Sequence, residues 1–239
     1  MDCRYKTGND EESDMEKFSS ILHRAAGRHG GEEAVIAKVK EGLDNYSNKQ
    51  PNMGDDRWLA EFTKRIFQAG FNWKVVENKW DGFENAFWSF KPSRCARIDL
   101  DDMEKLTSDT GIVRNPVKIK TVPQNAQMIL DMAEQAGSAD GFIRGWPSTD
   151  YVGLLDYLQK HGSHLGHNTA SYALRFSGVP AFILSKDVTA ALIHAGVIEK
   201  PATSKTARKA VQTAFNQWSE ESGENISYVS RVLALSLDA

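Results

Sequence analysis

The chain has 239 residues, of which 41% are hydrophobic and 26% charged, and this composition supports one substantial globular core. No apolar run approaches the ~18 residues that a membrane span needs, so we expect no membrane insertion. The formal net charge of -3 excludes a histone-like protein that binds nucleic acid through bulk positive charge, but it does not exclude a DNA enzyme with a local basic surface.

The cysteines and the N-terminus indicate the compartment. Cys3 and Cys95 allow at most one disulfide, and neither belongs to a CxxC or His-paired motif. The first six residues lack the positive, then apolar layout of a secretory signal. We therefore expect a reduced protein in the cytoplasm.

Helical periodicity dominates the chain from its N-terminal part onward. A capping-box pattern at Ser13 to Glu16 predicts a first helix that stops at Gly27 and Gly30, and a second helix covers 32–43. Residues 44–54 are rich in Asn, Ser, Pro and Gly, which is typical of a linker. A strongly amphipathic helix then runs from Asp55 to near Gly70.

The rest of the chain continues this pattern. Further helices are predicted over 75–87, 101–108, 116–135, 149–160, 168–176, 186–195, 203–222 and 226–237. Many begin with Ser, Thr or Asp and end at Gly, and alternating runs long enough for a sheet are missing. The sequence therefore predicts an all-α protein.

The segment from His161 to Ala170 has the pattern of a helix-hairpin-helix, in which a tight turn joins two short helices. Backbone amides at the start of the second helix form a site for a DNA phosphate, which predicts DNA contacts from Leu165, Gly166, His167, Asn168 and Thr169. The first glycine of the usual GxG turn is His164 here. We therefore expect the turn to depend on Gly166 for its permissive backbone.

Three segments, taken together, resemble the 3-methyladenine DNA glycosylase I family. The first contains Gln68-Ala69-Gly70-Phe71-Asn72-Trp73, and the second contains Phe87, Phe90 and Pro92. The third is Asp109-Thr110-Gly111-Ile112-Val113-Arg114, continued by Lys118 and Ile119. The resemblance spans roughly residues 55 to 198. It implies a helix-hairpin-helix glycosylase fold of two helical lobes, with the active site in the cleft between them.

The chain departs from the family in three ways. The family's zinc site uses Cys and His from both chain ends, and the matching residues are missing, so we expect no metal and no cofactor. The family's Glu near the end of the first core helix corresponds to Arg65. Asp187 follows the Gly178-Val179-Pro180 turn, as a catalytic Asp does in the broader superfamily.

Asp187 is the predicted catalytic residue. Cleavage of an N-glycosidic bond builds positive charge on the sugar, and a carboxylate stabilises that charge and orients the attacking water. The alternative is that Asp187 only stabilises the first turn of a helix. Both interpretations stay open, and the resemblance favours catalysis.

Trp73 and Phe71 are the predicted contacts to the base, since an extruded alkylated purine stacks on flat aromatic faces. The alternative is that they belong to the core, as most aromatic residues do.

Bifunctional lyases of the superfamily place a Lys at the position of Asn168, which predicts a monofunctional enzyme that uses water. A metal site at His161, His164 and His167 is a poor interpretation, because Gly162 and Gly166 interrupt the helix that would align them.

These observations predict a monofunctional DNA glycosylase of base-excision repair that removes alkylated purines of the 3-methyladenine type. We expect a monomer that acts on double-stranded DNA in the cytoplasm, at the bacterial nucleoid, without contact to membranes. The predicted organisation is an N-terminal extension with linker (1–54), a glycosylase core (55–200) and a C-terminal segment (201–239). The alternatives are a non-catalytic helix-hairpin-helix DNA-binding protein, which Arg65 favours, and a helical interaction module.

Overall fold

The computed structural model describes residues 15–47, 52–166 and 168–237, and all regular elements in these ranges are helical. This confirms the predicted all-α class. The N-terminal helices are α1 (Phe18–His29) and α2 (Glu32–Ser47). The central helices are α3 (Asp55–Gln68), α4 (Trp73–Asn78), α5 (Trp80–Ala86), α6 (Pro92–Cys95), α7 (Leu100–Ser108), α8 (Pro116–Ile119), α9 (Thr121–Ala136) and α10 (Ala139–Gly145). The remaining helices are α11 (Tyr151–His161), α12 (Asn168–Phe176), α13 (Lys186–His194), α14 (Lys205–Ser222) and α15 (Ile226–Ser236).

The first helix differs from its predicted bounds. It begins at Phe18, and its N-cap, Lys17, makes no side-chain capping hydrogen bond. Ser13, where the predicted capping box starts, lies outside the described residues. Helix α1 continues through Gly27 and ends at Gly30, whose φ of 84° is the left-handed conformation that glycine adopts without strain.

Two predicted helices are each divided in two. The predicted helix 75–87 consists of α4 and α5, which meet at Lys79, and the predicted helix 116–135 consists of α8 and α9, which meet at Lys120. Apolar residues recur at helical spacing on both sides of each break, so the periodicity alone does not reveal it.

Helix α3 lies at the centre of the core. It packs against α9, α10 and α12, and its Trp58, Phe62 and Phe67 side chains are fully buried. The indole Nε1 of Trp58 donates a hydrogen bond to Oδ1 of Asp140 in α10 at 3.0 Å. This packing places the C-terminal end of α3 beside α12, the second helix of the predicted hairpin.

Helix α15 connects the N-terminal helices to α13 through packing. It packs against α1, α2, α13 and α14. Its Ser230 and Arg231 therefore lie close to α13, which carries Asp187. Within the described ranges, each helix is too short or too polar to cross a bilayer.

Candidate active site

The predicted hairpin is present as α11, a turn and α12. Asn125 of α9 holds the turn, because its Oδ1 accepts a hydrogen bond from the Ser163 amide at 2.7 Å and its Nδ2 donates to the Ser163 carbonyl at 3.1 Å. Asn125 is fully buried, whereas Ser163 is half-buried at the surface of the turn. The hairpin is thereby fixed to the helix that packs on α3.

The expected role of Gly166 in the turn is wrong. The left-handed residue is His164, with a φ of 59°, whereas Gly166 does not adopt a positive φ. The nearest atom to a Cβ atom at Gly166 would belong to the Gln159 side chain, at an ordinary distance of 3.6 Å. The glycine that the turn needs is Gly162, where a Cβ atom would lie 2.8 Å from the Leu158 carbonyl oxygen and 2.7 Å from Cδ1 of Leu165.

The predicted phosphate-binding residues have different environments. His167 lies outside the described residues. Leu165 is buried in the core, so only its backbone is a candidate for contact with DNA. The Thr169 amide donates to the Gly166 carbonyl at 3.3 Å and is therefore already engaged within the turn. Nδ2 of Asn168 donates to the Leu184 carbonyl at 3.2 Å, which connects the hairpin to the segment before α13.

Asp187 lies in the first turn of α13. The N-cap of this helix is Ser185, whose Oγ accepts a hydrogen bond from the Val188 amide at 3.2 Å. The capping function is thus supplied by Ser185, and the half-buried Asp187 carboxylate lines a neighbouring cavity. Lys186, the adjacent residue, is exposed.

The cavity beside Asp187 has a volume of about 340 Å³. Its polar lining residues are Asp187, Arg175, Arg231, Ser185 and Ser230. Nε of Arg231 has no hydrogen-bond partner among the described residues. The buried guanidinium of Arg175 donates from Nε and Nη2 to the Ala181 carbonyl. The cavity therefore offers one carboxylate for a cationic centre and one guanidinium group, that of Arg231, for a phosphate oxygen.

Trp73 is the first residue of α4 and belongs to an aromatic cluster. Its ring meets Tyr172 at a centroid distance of 5.9 Å and Phe176 at 6.1 Å, both close to edge-on. Trp73 remains 40% exposed, so part of its surface is available to a ligand. Phe71 is 45% exposed on the preceding turn, while the described ring partners of Trp73 both come from α12.

Tyr172 connects the aromatic cluster to the cavity. Its ring packs against Trp73 on one side, and the same residue lines the cavity that contains Asp187. A nucleotide whose base rests on Trp73 and whose sugar reaches Asp187 would therefore pass along one side chain. The structure thus brings two of the residues predicted from the sequence, Trp73 and Asp187, into neighbouring parts of one site.

Arg65 lies in the same aromatic cluster. Its guanidinium carbon is 4.0 Å from the centre of the Phe176 ring and 5.6 Å from that of Trp73. Nε donates to Oε1 of Glu61 at 2.5 Å, and Nη1 donates to Oε1 of Gln68 at 2.7 Å. A partly buried ion pair, with the buried Arg65 as its cation, thus stands where the resembling family has a glutamate.

The turn between α3 and α4 is held by Lys118 of α8. Its ammonium group donates to the carbonyl of Ala69 at 2.7 Å and to that of Phe67 at 3.2 Å, at the C-terminal end of α3. A cation is favourable there because the last helical carbonyls carry partial negative charge. Burial lowers the pKa of Lys118. Two of the segments that resemble the family, the one that ends with Lys118 and Ile119 and the one that contains Gln68 to Trp73, are therefore in direct contact.

Four functional candidates were missed by the sequence reasoning: Tyr172, Arg175, Ser230 and Arg231. Tyr172, Arg175 and Phe176 are spaced i, i+3 and i+4 in α12 and therefore share one face of the helix. That spacing, directly after the hairpin, could have revealed the first two. Ser230 and Arg231 reach the cavity only through the packing of α15, which local sequence does not encode.

A larger groove of about 600 Å³ lies between the N-terminal and C-terminal helices. It is lined by three carboxylates, from Glu32, Glu221 and Glu224, together with Tyr228 and Lys17. Carboxylates repel DNA phosphates, so this groove is a poor candidate for the DNA site.

The residues present do not fit the zinc site of the resembling family. Cys95 is fully buried, and its thiol donates to the Phe87 carbonyl at 3.2 Å. No group of three or more His, Cys, Asp or Glu side chains suited to a metal occurs within the described ranges. Cys3, the other cysteine, lies outside those ranges.

Comparison with known sequences identifies the central part of the chain. The sequence profile of methyladenine glycosylases matches residues 46–164. DNA-3-methyladenine glycosylase 1 of Escherichia coli (strain K12) is 37% identical over 108 residues, which cover 41% of this chain and 53% of that protein. The DNA-3-methyladenine glycosylase of Haemophilus influenzae is 28% identical over 102 residues, which cover 41% of this chain and 55% of that protein. The chain thus spans about half the length of these curated relatives.

Comparison with solved structures supports the fold. A 3-methyladenine DNA glycosylase I from Staphylococcus aureus aligns with a TM-score of 0.50 at 20% identity, over 59% of this chain and 86% of that one. The 8-oxoguanine DNA glycosylase of Thermotoga maritima aligns with a TM-score of 0.51 at 14% identity, over 90% of this chain and 95% of that one. These similarities confirm the helix-hairpin-helix glycosylase fold. Over residues 46–164, the sequence of the chain matches the methyladenine glycosylase family.

Proposed function

We propose that the protein is a DNA glycosylase that hydrolyses the N-glycosidic bond of alkylated purines, of the 3-methyladenine type, in double-stranded DNA. The observation that carries this proposal is the position of Tyr172, which packs on Trp73 and also lines the cavity of Asp187. The names of the curated relatives support the same chemistry.

In the proposed mechanism, the hairpin turn holds the DNA backbone while the damaged nucleotide leaves the base stack. The extruded base stacks on the exposed surface of Trp73, with Phe71 beside it. Arg231 neutralises a phosphate next to the extruded sugar, since guanidinium groups bind phosphate oxygens. Arg175 instead donates from Nε and Nη2 to the Ala181 carbonyl and holds the segment before α13. The site then lies in the cleft that Trp73 and Asp187 border.

Asp187 is the proposed catalytic residue. The bond between the base and the sugar breaks, the base takes the bonding electrons, and the sugar develops positive charge that the carboxylate stabilises. A water molecule adds to the anomeric carbon, and Asp187 accepts its proton. The product is free base and an intact abasic site.

Hydrolysis by water follows from the environment of Asn168. Its side chain is engaged with the Leu184 carbonyl, at the position where lyases of the superfamily have a nucleophilic Lys. Without an amine nucleophile, no Schiff base forms with the sugar. The protein is therefore proposed to act as a monofunctional enzyme.

The test uses duplex DNA treated with a methylating agent. We expect release of methylated base, measured by chromatography, and strand cleavage only after alkali, with no adduct trapped by borohydride. A gel shift without base release would instead indicate a non-catalytic DNA-binding protein. An adduct that disappears in Lys186→Ala would contradict the water mechanism.

A further inference from the structure

Arg231 of α15 packs directly on the backbone of α2. A Cβ atom at Gly42 would lie 2.0 Å from Nη2 of Arg231, 2.4 Å from Cζ and 2.8 Å from Nε. Cβ atoms in proteins essentially never approach other atoms to less than 3.0 Å, so any other residue at position 42 would displace the guanidinium group. The backbone of Gly42 thus forms a seat for the arginine, which we call the Gly42 seat.

The Gly42 seat holds Arg231 by its shape. Nε of Arg231 is shielded from solvent, and the part of the chain that the structure describes supplies neither a hydrogen bond nor an ion pair to this side chain. A shielded N–H group without an acceptor is costly, and such groups are typical of sites where a ligand or water supplies the acceptor. Since Arg231 also lines the cavity of Asp187, a ligand in that cavity can supply it.

The chemistry of the side chain points to an anionic oxygen as this acceptor. Arginine has five N–H donors and no acceptor, and phosphate oxygens are among its strongest partners. Arg175, which lines the same cavity, already donates to the Ala181 carbonyl. A long side chain loses rotational freedom when it binds a ligand. The Gly42 seat reduces this loss, because it restricts the guanidinium of Arg231 before the ligand arrives.

We propose that Gly42 positions Arg231 to bind the DNA phosphate next to the extruded nucleotide, so that α2 completes the phosphate site beside Asp187. This inference rests on the proposed glycosylase function and deepens it. It gives a role in that site to a helix that lies almost entirely before the family match at 46–164. Gly42 is a positioning residue, because it acts on DNA only through Arg231.

The experiment measures the Kd for a duplex that carries a stable tetrahydrofuran abasic site, over a series of salt concentrations. This duplex has no base to release at that site, so binding is measured without chemistry. Each phosphate that a protein neutralises contributes about 0.9 to the slope of log Kd against log salt concentration. The slope therefore counts phosphate contacts, whereas a general loss of stability does not change it.

Arg231→Gln should lower this slope by about 0.9, the contribution of one phosphate. Gly42→Leu fills the seat and should lower the slope by a similar amount, although Arg231 itself is still present. The double variant should lower it no further, because both changes remove the same contact. Gly27→Leu is the matched control, since Gly27 lies within α1 and a Cβ atom there would meet no atom within 4 Å. It should keep the wild-type slope.

An unchanged slope in Arg231→Gln would overturn the phosphate contact, and an unchanged slope in Gly42→Leu would overturn the role of Gly42. Additive effects in the double variant would also contradict the proposal. If Gly42→Leu fails to fold, as judged by circular dichroism, Gly42→Ala decides in its place. Alanine favours the helix, and only the flexible end of Arg231 has to move.

Failure of the proposed function gives a different result. Base release is measured in parallel from a methylated duplex. A wild type that releases no base would contradict the glycosylase function, whatever the slopes show. Base release by wild type together with a slope that Gly42→Leu leaves unchanged would overturn the role of Gly42 alone.

Discussion

Trp73, the first residue of α4, is 40% exposed and meets Tyr172 and Phe176 of the hairpin helix α12. Its role in base binding, which the family motif around Gly70 predicts, stays a prediction. The contacts of Trp73 with Tyr172 and Phe176 were not predicted, because about a hundred residues separate the two segments along the chain. Only the packing of α3 against α12 brings them together.

Cys95 provides a prediction about reactivity. Burial raises the pKa of its thiol to about 12, against an ordinary value of 9.0, so the native thiol stays protonated at pH 8. Since thiolates are the reactive form, iodoacetamide should modify Cys95 only in unfolded protein. Mass spectrometry of the labelled peptide, with and without denaturant, measures this. Rapid labelling of native protein would show that the Cys95 thiol is accessible to the reagent and would contradict the prediction.

The same thiol makes stability depend on pH. The native pKa is raised, so protonation of Cys95 stabilises the fold below pH 9. This contribution is lost as the pH rises from about 9 to about 12. In Cys95→Ser, unfolding curves should show a smaller loss of stability than wild type over this range.

At the scale of the element, helix starts were predictable where a capping side chain is present. Ser185, Ser204 and Asn225 are N-caps whose side chains accept backbone amides, close to the predicted starts of α13, α14 and α15. The breaks at Lys79 and Lys120 were not predictable, because neither residue is a helix breaker. The hairpin turn was located correctly, but its left-handed residue was assigned to Gly166 in place of His164.

Asn125 gives a prediction for the hairpin. Asn125→Ala removes both hydrogen bonds to the backbone of the half-buried Ser163, at a cost of about 1–3 kcal/mol in unfolding free energy. The misplaced turn should weaken binding to damaged and undamaged duplex alike, because phosphate contacts carry no information about the lesion. Fluorescence anisotropy with both duplexes measures the effect.

Asn216→Ala is the control for this experiment. Asn216 also donates to a backbone carbonyl, that of Thr149, but it lies on α14. Its replacement should leave DNA affinity unchanged. Loss of affinity for damaged DNA only, in Asn125→Ala, would place the hairpin in the base pocket and refute its assigned role.

At the scale of the whole molecule, packing and hydrogen bonds connect the two ends of the described chain. The Phe18 amide donates to Oε2 of Glu221 at 2.8 Å, the indole of Trp218 donates to the Glu16 carbonyl at 2.9 Å, and α1 packs on α15. The resembling family joins its ends through zinc. The division into 1–54, 55–200 and 201–239 stays a prediction, and α15 of the last segment lines the cavity of Asp187.

The zinc content of the purified protein tests whether the chain lacks the zinc site of the resembling family. We predict that the purified protein contains no stoichiometric zinc and that a chelator leaves its Tm unchanged, because the residues present do not form the family's ligand set. Elemental analysis and thermal unfolding with and without chelator measure both quantities. One zinc per chain would contradict the prediction.

The overall architecture was predictable because helical periodicity and glycine stops recur along the chain, and because the family motifs are local. The composition of the cavity was not, since Asp187, Tyr172 and Arg231 come from three helices whose relative positions depend on tertiary packing. A sequence shows which residues are chemically suitable, while the fold determines which of them meet.

The central claim is that Asp187 performs the chemistry while other parts of the site hold the DNA. The most direct measurement compares wild type with Asp187→Asn for single-turnover base release and for DNA affinity on the same alkylated duplex. The substitution removes the charge of the side chain but preserves its size. We therefore predict that base release is abolished. The Kd for DNA should change by less than about threefold, because the carboxylate does not bind DNA. Release within a few-fold of wild type would contradict the account.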